Sequence, residues 1–183
     1  MIEEIRAVAN RIRHHDVSLD SDLRDLAAND LESCVDFLRT ILFSECLYME
    51  CGASCYVLEQ LQKLGGKTQS EAWILQHWNT FTDDEKRRVC YGAASIEAIS
   101  TDLALTLFQS NYSTLDDKQL LLAGLASTAE IRNCEATVYD LADELSSSAA
   151  KENRPNMSYL IQQIQDSFQS PSMSERARKD EDL

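Results

Sequence analysis

Proline is absent from the first 154 positions of this 183-residue chain; the only two, Pro155 and Pro171, fall near its carboxyl end. The five glycines, at 52, 65, 66, 92 and 124, are the remaining strong chain breakers. Sheet folds require turn chemistry roughly every 8–12 residues, and this sequence does not supply it. Long uninterrupted stretches with apolar residues three and four apart point instead to helices.

The first helix is expected over about Ile2 to His15, with Ile5, Val8, Ala9 and Ile12 on one face. Ser21 is the expected cap of a short helix from Asp22 to Ala28, and Asp30 that of the next segment. From Leu31 to Leu64 the spacing predicts one long helix bent near Gly52, ended by Gly65-Gly66. Ser70 opens a short helix carrying Trp73, Ile74, His77 and Trp78. Thr82-Asp83-Asp84-Glu85 has the form of a capping box and starts a helix expected to reach about Gln109. Thr114 is the cap expected for another, running through Leu120, Gly124, Ser127, Ile131, Cys134, Val138, Leu141 and Leu145. Met157 to Phe168 closes the series. The expected fold is all-α: an antiparallel bundle of five to six main helices forming one domain over 1–169, with a short disordered tail over 170–183.

Small residues interrupt three of these stripes, at Gly52-Ala53-Ser54, Gly92-Ala93-Ala94-Ser95 and Gly124-Leu125-Ala126-Ser127. Missing side chains let helix axes approach toward the short end of the usual range of about 8–10 Å, so close crossings are expected there.

Lys and Arg total 17 against 31 Asp and Glu, a net charge of −14. Such a surface opposes the phosphate attraction behind non-specific nucleic-acid binding and is repelled by anionic membranes, while it attracts basic proteins. The amino terminus, Met1-Ile2-Glu3-Glu4, lacks the basic and apolar regions of an export signal, and no apolar run approaches the roughly 20 residues of a membrane span. A cytoplasmic location is expected. The six cysteines, at 34, 46, 51, 55, 90 and 134, then read as reduced, with Cys34, Cys51 and Cys134 on apolar stripes as small core groups.

Patterns with catalytic potential are incomplete. Leu64-Gly65-Gly66-Lys67-Thr68 ends like a phosphate-binding loop but lacks its first glycine and preceding strand. Asp140, Asp143 and Glu144 share one helix face and suit magnesium, in the general manner of all-α nucleotide pyrophosphohydrolases, yet a second acidic cluster is missing. Cys51 and Cys55, with Cys46 nearby, stand one turn apart, but structural zinc takes a second pair or histidines, and His14, His15 and His77 have no matching spacing. Gly52-Ala53-Ser54-Cys55-Tyr56 lacks the second glycine of a serine elbow, and His77 between two tryptophans reads as a packed side chain. No catalytic residue, cofactor or metal is expected.

The strongest charge feature is the run Asp16, Asp20, Asp22, Asp25, Asp30, Glu32 and Asp36, which holds one base, Arg24. With Leu19, Leu23, Leu26 and Leu31 turned inward, these carboxylates would face water and form the binding site for a basic protein surface. The expected function is a non-enzymatic acidic protein-binding module, an inhibitor or antagonist of the immunity or anti-defence type. A magnesium-dependent nucleotide hydrolase and a structural protein that only oligomerises are the rivals; a homo-oligomer is compatible with each. The segment after Ser170 has too little apolar content to fold alone. Deleting residues 171–183 is therefore expected to leave the melting temperature nearly unchanged, and a drop of several degrees would show that the tail is packed.

Overall fold

A computed structural model of the chain describes residues 2–44, 47 and 51–169. Cys46 and the expected tail over 170–183 lie outside the described residues. Within them the chain forms eleven α-helices and one 3-10 turn, and no strand. The helices are α1 (Ile2–Arg13), α2 (Leu19–Asn29), α3 (Leu31–Leu42), α4 (Cys51–Gly65), α5 (Lys67–His77), α6 (Asp83–Cys90), α7 (Thr101–Gln109), α8 (Leu115–Ser127), α9 (Ala129–Arg132), α10 (Glu135–Lys151) and α11 (Pro155–Gln169), with the 3-10 turn at Tyr91–Ala94 between α6 and α7. No helix among the described residues is long and apolar enough to cross a membrane.

Side-chain capping opens four of the helices, α3, α6, α7 and α8. The Asp30 carboxylate accepts from Ser33 N and opens α3. Thr82 and Glu85 form a reciprocal capping box on α6, and Thr114 with Asp117 forms another on α8. Each satisfies two backbone donors that a helix start leaves unpaired. Pro155 is the first residue of α11, where its missing N–H costs nothing and its fixed φ suits the helix. The short helix α2 begins at Leu19 after Ser18 rather than at a Ser21 cap. Likewise α5 begins at Lys67, directly after Gly66 at φ +83°, while the Ser70 hydroxyl donates to the Leu61 carbonyl.

Three long helices expected from spacing are each divided. The stretch 31–64 is two helices, and the Arg88 guanidinium of α6 donates to the carbonyls of Leu42 (2.9 Å) and Ser44 (2.6 Å), satisfying the end of α3. The stretch 82–109 narrows into the 3-10 turn and runs through a loop to Ser100, whose hydroxyl accepts from Leu103 N and whose own N–H donates to Glu71. The stretch 114–145 stops at Ser127, passes through α9, and is broken again at Asn133, which caps α9 in the left-handed region at φ +52°. Arg132 fastens this break to the preceding one: its guanidinium donates to the carbonyls of Ala93 and Ile99 and to the hydroxyls of Thr101 and Thr128. Ile131, expected on the apolar seam, is consequently 68% exposed.

The 3-10 turn, with Gly92 and Ala93 buried, packs against both α4 and α8. The helices α3 and α5 pack on α4, α2 packs on α3, α6, α7 and α10 pack on α8, and α11 packs on α10. One cluster of buried apolar side chains extends from Ile5 through Leu38, Leu58, Val89, Phe108, Leu121 and Leu145 to Ile161.

Two of the three small-residue belts meet each other at the 3-10 turn. A Cβ on Gly124 would fall 2.6 Å from the Ala93 Cβ and 2.8 Å from Ala94 N, and one on Gly92 would fall 2.8 Å from Leu58 Cδ1. The third belt behaves differently, because Gly52 is exposed and has nothing within 4 Å of the corresponding position. Gly124→Ala is therefore expected to destabilise the protein by about 2 kcal/mol or more, within or above the usual overpacking cost of roughly 1–3 kcal/mol. Gly52→Ala, in an exposed helical turn, is expected to be neutral or stabilising by up to ~1 kcal/mol. Urea unfolding of the two variants beside the wild type measures both.

Candidate functional site

The acidic run folds into the turn before α2, α2 itself and the first two turns of α3, where its carboxylates divide into two groups. The first is engaged inside the chain. Asp16 accepts from Arg11 Nε (2.7 Å) through one oxygen and from Ser18 N (3.0 Å) and Oγ (2.7 Å) through the other. Arg11 Nη2 also donates to Asp22 (2.6 Å), so one guanidinium joins α1 to the start of α2. Asp20, half-buried, accepts from the Tyr56 hydroxyl (2.5 Å) and from Gln60 Nε2 (3.2 Å), both on α4. The expectation that Asp20 faces water is thus corrected: it turns toward α4, and Leu19 and Leu23 on the same helix are buried.

These contacts shift the titration of the groups involved. The Ser18 hydroxyl, followed by Arg11 and the Ser18 N–H, holds the Asp16 carboxyl down at about 2. The Ser33 N–H and hydroxyl lower Asp30 in the same direction. Burial, reinforced by Asp20, raises the Tyr56 phenol.

The second group lies on the outer face of α2 and α3. Asp25 and Glu32 are exposed, and no partner for either carboxylate is found among the described residues. Asp36 pairs with Arg39, one turn along the same helix at 3.2 Å, and Asp30 is exposed around its capping bonds. Leu26 and Leu31, expected to point inward, are instead 39% and 49% exposed. Periodicity alone would turn both inward, since Leu26 lies seven residues after Leu19 and Leu31 seven before Leu38; their exposure comes from position, Leu26 in the last turn of α2 and Leu31 at the first residue of α3.

Beside Leu31 a groove of about 370 Å³ runs between α3 and the junction of α4 with α5, lined by Leu31, Glu32, Val35, Asp36, Arg39 and Gly65. Its floor is close-packed, since a Cβ on Gly65 would come 3.2 Å from Val35 Cγ2. The resulting face has an apolar centre and carboxylates on its edge. A second groove of about 370 Å³ separates the α1–α2 turn from the start of α4 and is lined by Arg13, Asp16, Val17, Asp20 and Tyr56 among others. Its two acids are the ones already committed to Arg11, Ser18, Tyr56 and Gln60, and Arg13 adds a cation. The α3 groove also holds a cation, Arg39, paired with Asp36, but its Glu32 is exposed and has no partner among the described residues.

The rival constellations are placed as follows. Asp140, Asp143 and Glu144 are exposed on α10, and among the described residues no three His, Cys, Asp or Glu side chains are grouped to hold a metal ion. His77 packs beside Trp73, with ring centroids 5.2 Å apart, and its Nδ1 lies 2.8 Å from the Trp73 carbonyl. Arg39 lies over the Trp73 ring at 4.5 Å, binding the foot of the α3 groove to the aromatic cluster. The five described cysteines are free. Cys34 and Cys134 are buried as expected from their stripes, whereas Cys51 is exposed, correcting its assignment to the core. Cys55 is buried, and burial pushes its thiol up to about 12. The chain matches no family model, no curated protein and no solved structure.

The lowered pKa of Asp16 carries a definite sign. A carboxyl depressed in the folded state adds stability above its unfolded value, near 4, and that contribution disappears as pH falls toward about 2. Asp16→Asn is expected to be less stable than wild type at neutral pH, with the gap closing between about pH 4 and 2. Urea unfolding at several pH values checks this, and a gap independent of pH would contradict it.

Proposed function

We propose that this chain is a non-enzymatic acidic protein-binding module, of the inhibitor or antagonist kind, that docks a basic protein surface on the face formed by α2 and α3. One observation carries the reading: exposed Leu31 opens onto a groove edged by Glu32 and Asp36. An apolar anchor ringed by polar groups is the usual anatomy of a protein interface, in which a few central side chains supply most of the affinity. Like charge at its edge speeds encounter with an oppositely charged partner and loses that effect as salt rises. The net charge of −14 acts in the same direction over longer range.

The binding role falls to Asp25, Asp30, Glu32 and Asp36, with Leu26 and Leu31 between them; Asp16, Asp20 and Asp22 serve the join of α1, α2 and α4. A mostly antiparallel order of the main helices and a cytoplasmic setting belong to the same proposal. The hydrolase alternative draws no comparable support from the exposed Asp140, Asp143 and Glu144.

Affinity capture from the native host, with wild type and a Leu31→Ser/Glu32→Lys variant side by side, tests the proposal. Both substitutions are at exposed positions and are expected to change stability by less than about 0.5 kcal/mol each, which circular dichroism and melting verify. The expected result is a basic partner whose affinity falls at least about tenfold in the variant, equivalent to about 1.4 kcal/mol, and whose association with wild type slows as salt is added. Equal binding of every captured protein by both forms would overturn the assignment of this face.

A further inference from the structure

The first turn of α4 brings two thiols and a backbone carbonyl together. Exposed Cys51 and buried Cys55 stand one helical turn apart with their sulfurs 3.8 Å from each other. Both face the carbonyl oxygen of Tyr91 in the 3-10 turn, which is 3.7 Å from Cys51 Sγ and 3.0 Å from Cys55 Sγ.

Two neighbouring thiols suggest a disulfide, but the helix opposes it. Residues four apart on a helix hold their Cβ atoms about 5–6 Å apart, whereas a disulfide needs about 3.5–4.5 Å. Oxidation would have to unwind the first turn of α4. A bridging ion makes no such demand, because in a tetrahedral site with Zn–S bonds of about 2.3 Å neighbouring sulfurs stand about 3.8 Å apart. The observed sulfur separation equals that edge with the backbone as it is. The Tyr91 oxygen, 3.7 Å from Cys51 Sγ, is close to the sulfur–oxygen edge of about 3.5 Å in such a site, whereas Cys55 Sγ, at 3.0 Å, has to move outward by about half an ångström for the oxygen to serve as a third corner; the exposed side of Cys51 leaves the fourth to water.

We propose that Cys51 Sγ, Cys55 Sγ and the Tyr91 carbonyl oxygen form a binding site for a soft, thiophilic divalent cation of the zinc group. Thiolate donors select such ions over magnesium or calcium. On binding, each thiol gives its proton to solvent and each sulfur donates a lone pair to the cation, with no transfer of electrons. Three protein donors and an open position describe an exchangeable site rather than a closed structural one. Sequence spacing misses it because a structural zinc site is sought as a second Cys pair or histidines, while the third donor here is main chain, 40 residues from Cys51. An ion held there would tie α4 to the 3-10 turn and, binding only the folded chain, would raise its melting temperature.

Cadmium(II), whose thiolate complexes absorb in the ultraviolet, is the probe. Titrated into reduced, metal-free full-length protein, it is expected to give saturable absorption at one equivalent and a raised melting temperature, with no response to magnesium. Cys51→Ser, at an exposed position, is expected to fold normally and to lose affinity by more than the roughly 10–100-fold that loss of an outer supporting group costs. Cys134→Ser is expected to bind as wild type does. Absence of saturable binding by the wild type would overturn the site. So would undiminished binding by Cys51→Ser accompanied by loss in Cys46→Ser, which would place the ion elsewhere.

Discussion

A methyl group on Gly124 would lie 2.6 Å from the Ala93 Cβ and 2.7 Å from the Ala93 carbonyl carbon, and the centre of the molecule is arranged around its absence. Real Cβ atoms do not approach so closely, so α8 can lie on the backbone of the 3-10 turn only with glycine at this position. The turn in turn presents Gly92 to Leu58 of α4. One pair of glycines thereby brings α4 and α8 against a single short segment. Close approach of backbones also leaves carbonyls to satisfy, and the half-buried Arg132 does so for Ala93 and Ile99. The guanidinium is suited to this because its donors are fixed in a planar fork and stay charged on burial.

The elements legible in the sequence are those set by local chemistry. Asp30, Thr82 and Thr114 act within three residues of their own helix starts, and the sequence reading placed each correctly. The breaks after Cys90 and Ser127 depend on contacts between segments 30 or more residues apart, such as Arg132 with Ile99, and periodicity carries no trace of those. A uniform spacing of three and four therefore ran through 82–109 and 114–145 as if each were one helix. A local signal was nevertheless present at Asn133, which occupies the left-handed region that asparagine tolerates better than most residues. The belts of small residues were read as close crossings, and this holds for Gly92 and Gly124 but not for Gly52, whose surroundings are open.

The candidate face shows the same division. Composition locates the acidic run, but it cannot separate carboxylates that hold the fold from those available to a partner. Asp22 meets Arg11 across 11 residues, and Asp20 meets Tyr56 across 36. Neither link is visible in the spacing within α2. Nor does spacing show that Leu26 and Leu31 fall at the junction of two helices rather than on one inner stripe. The outcome is a smaller acidic face than the sequence suggests, with an apolar centre that the sequence assigns to the core.

Proton–proton nuclear Overhauser contacts at Gly124 test the architecture most directly, because α4, and with it α3 and the groove between them, packs on the 3-10 turn that Gly124 meets. The account predicts strong contacts from the Gly124 Hα protons to the Ala93 methyl, together with contacts from the Leu58 methyls to Gly92. Their absence, with regular helical contacts continuing from Gly92 to Ile96, would show that residues 82–109 form one unbroken helix and would contradict the crossing.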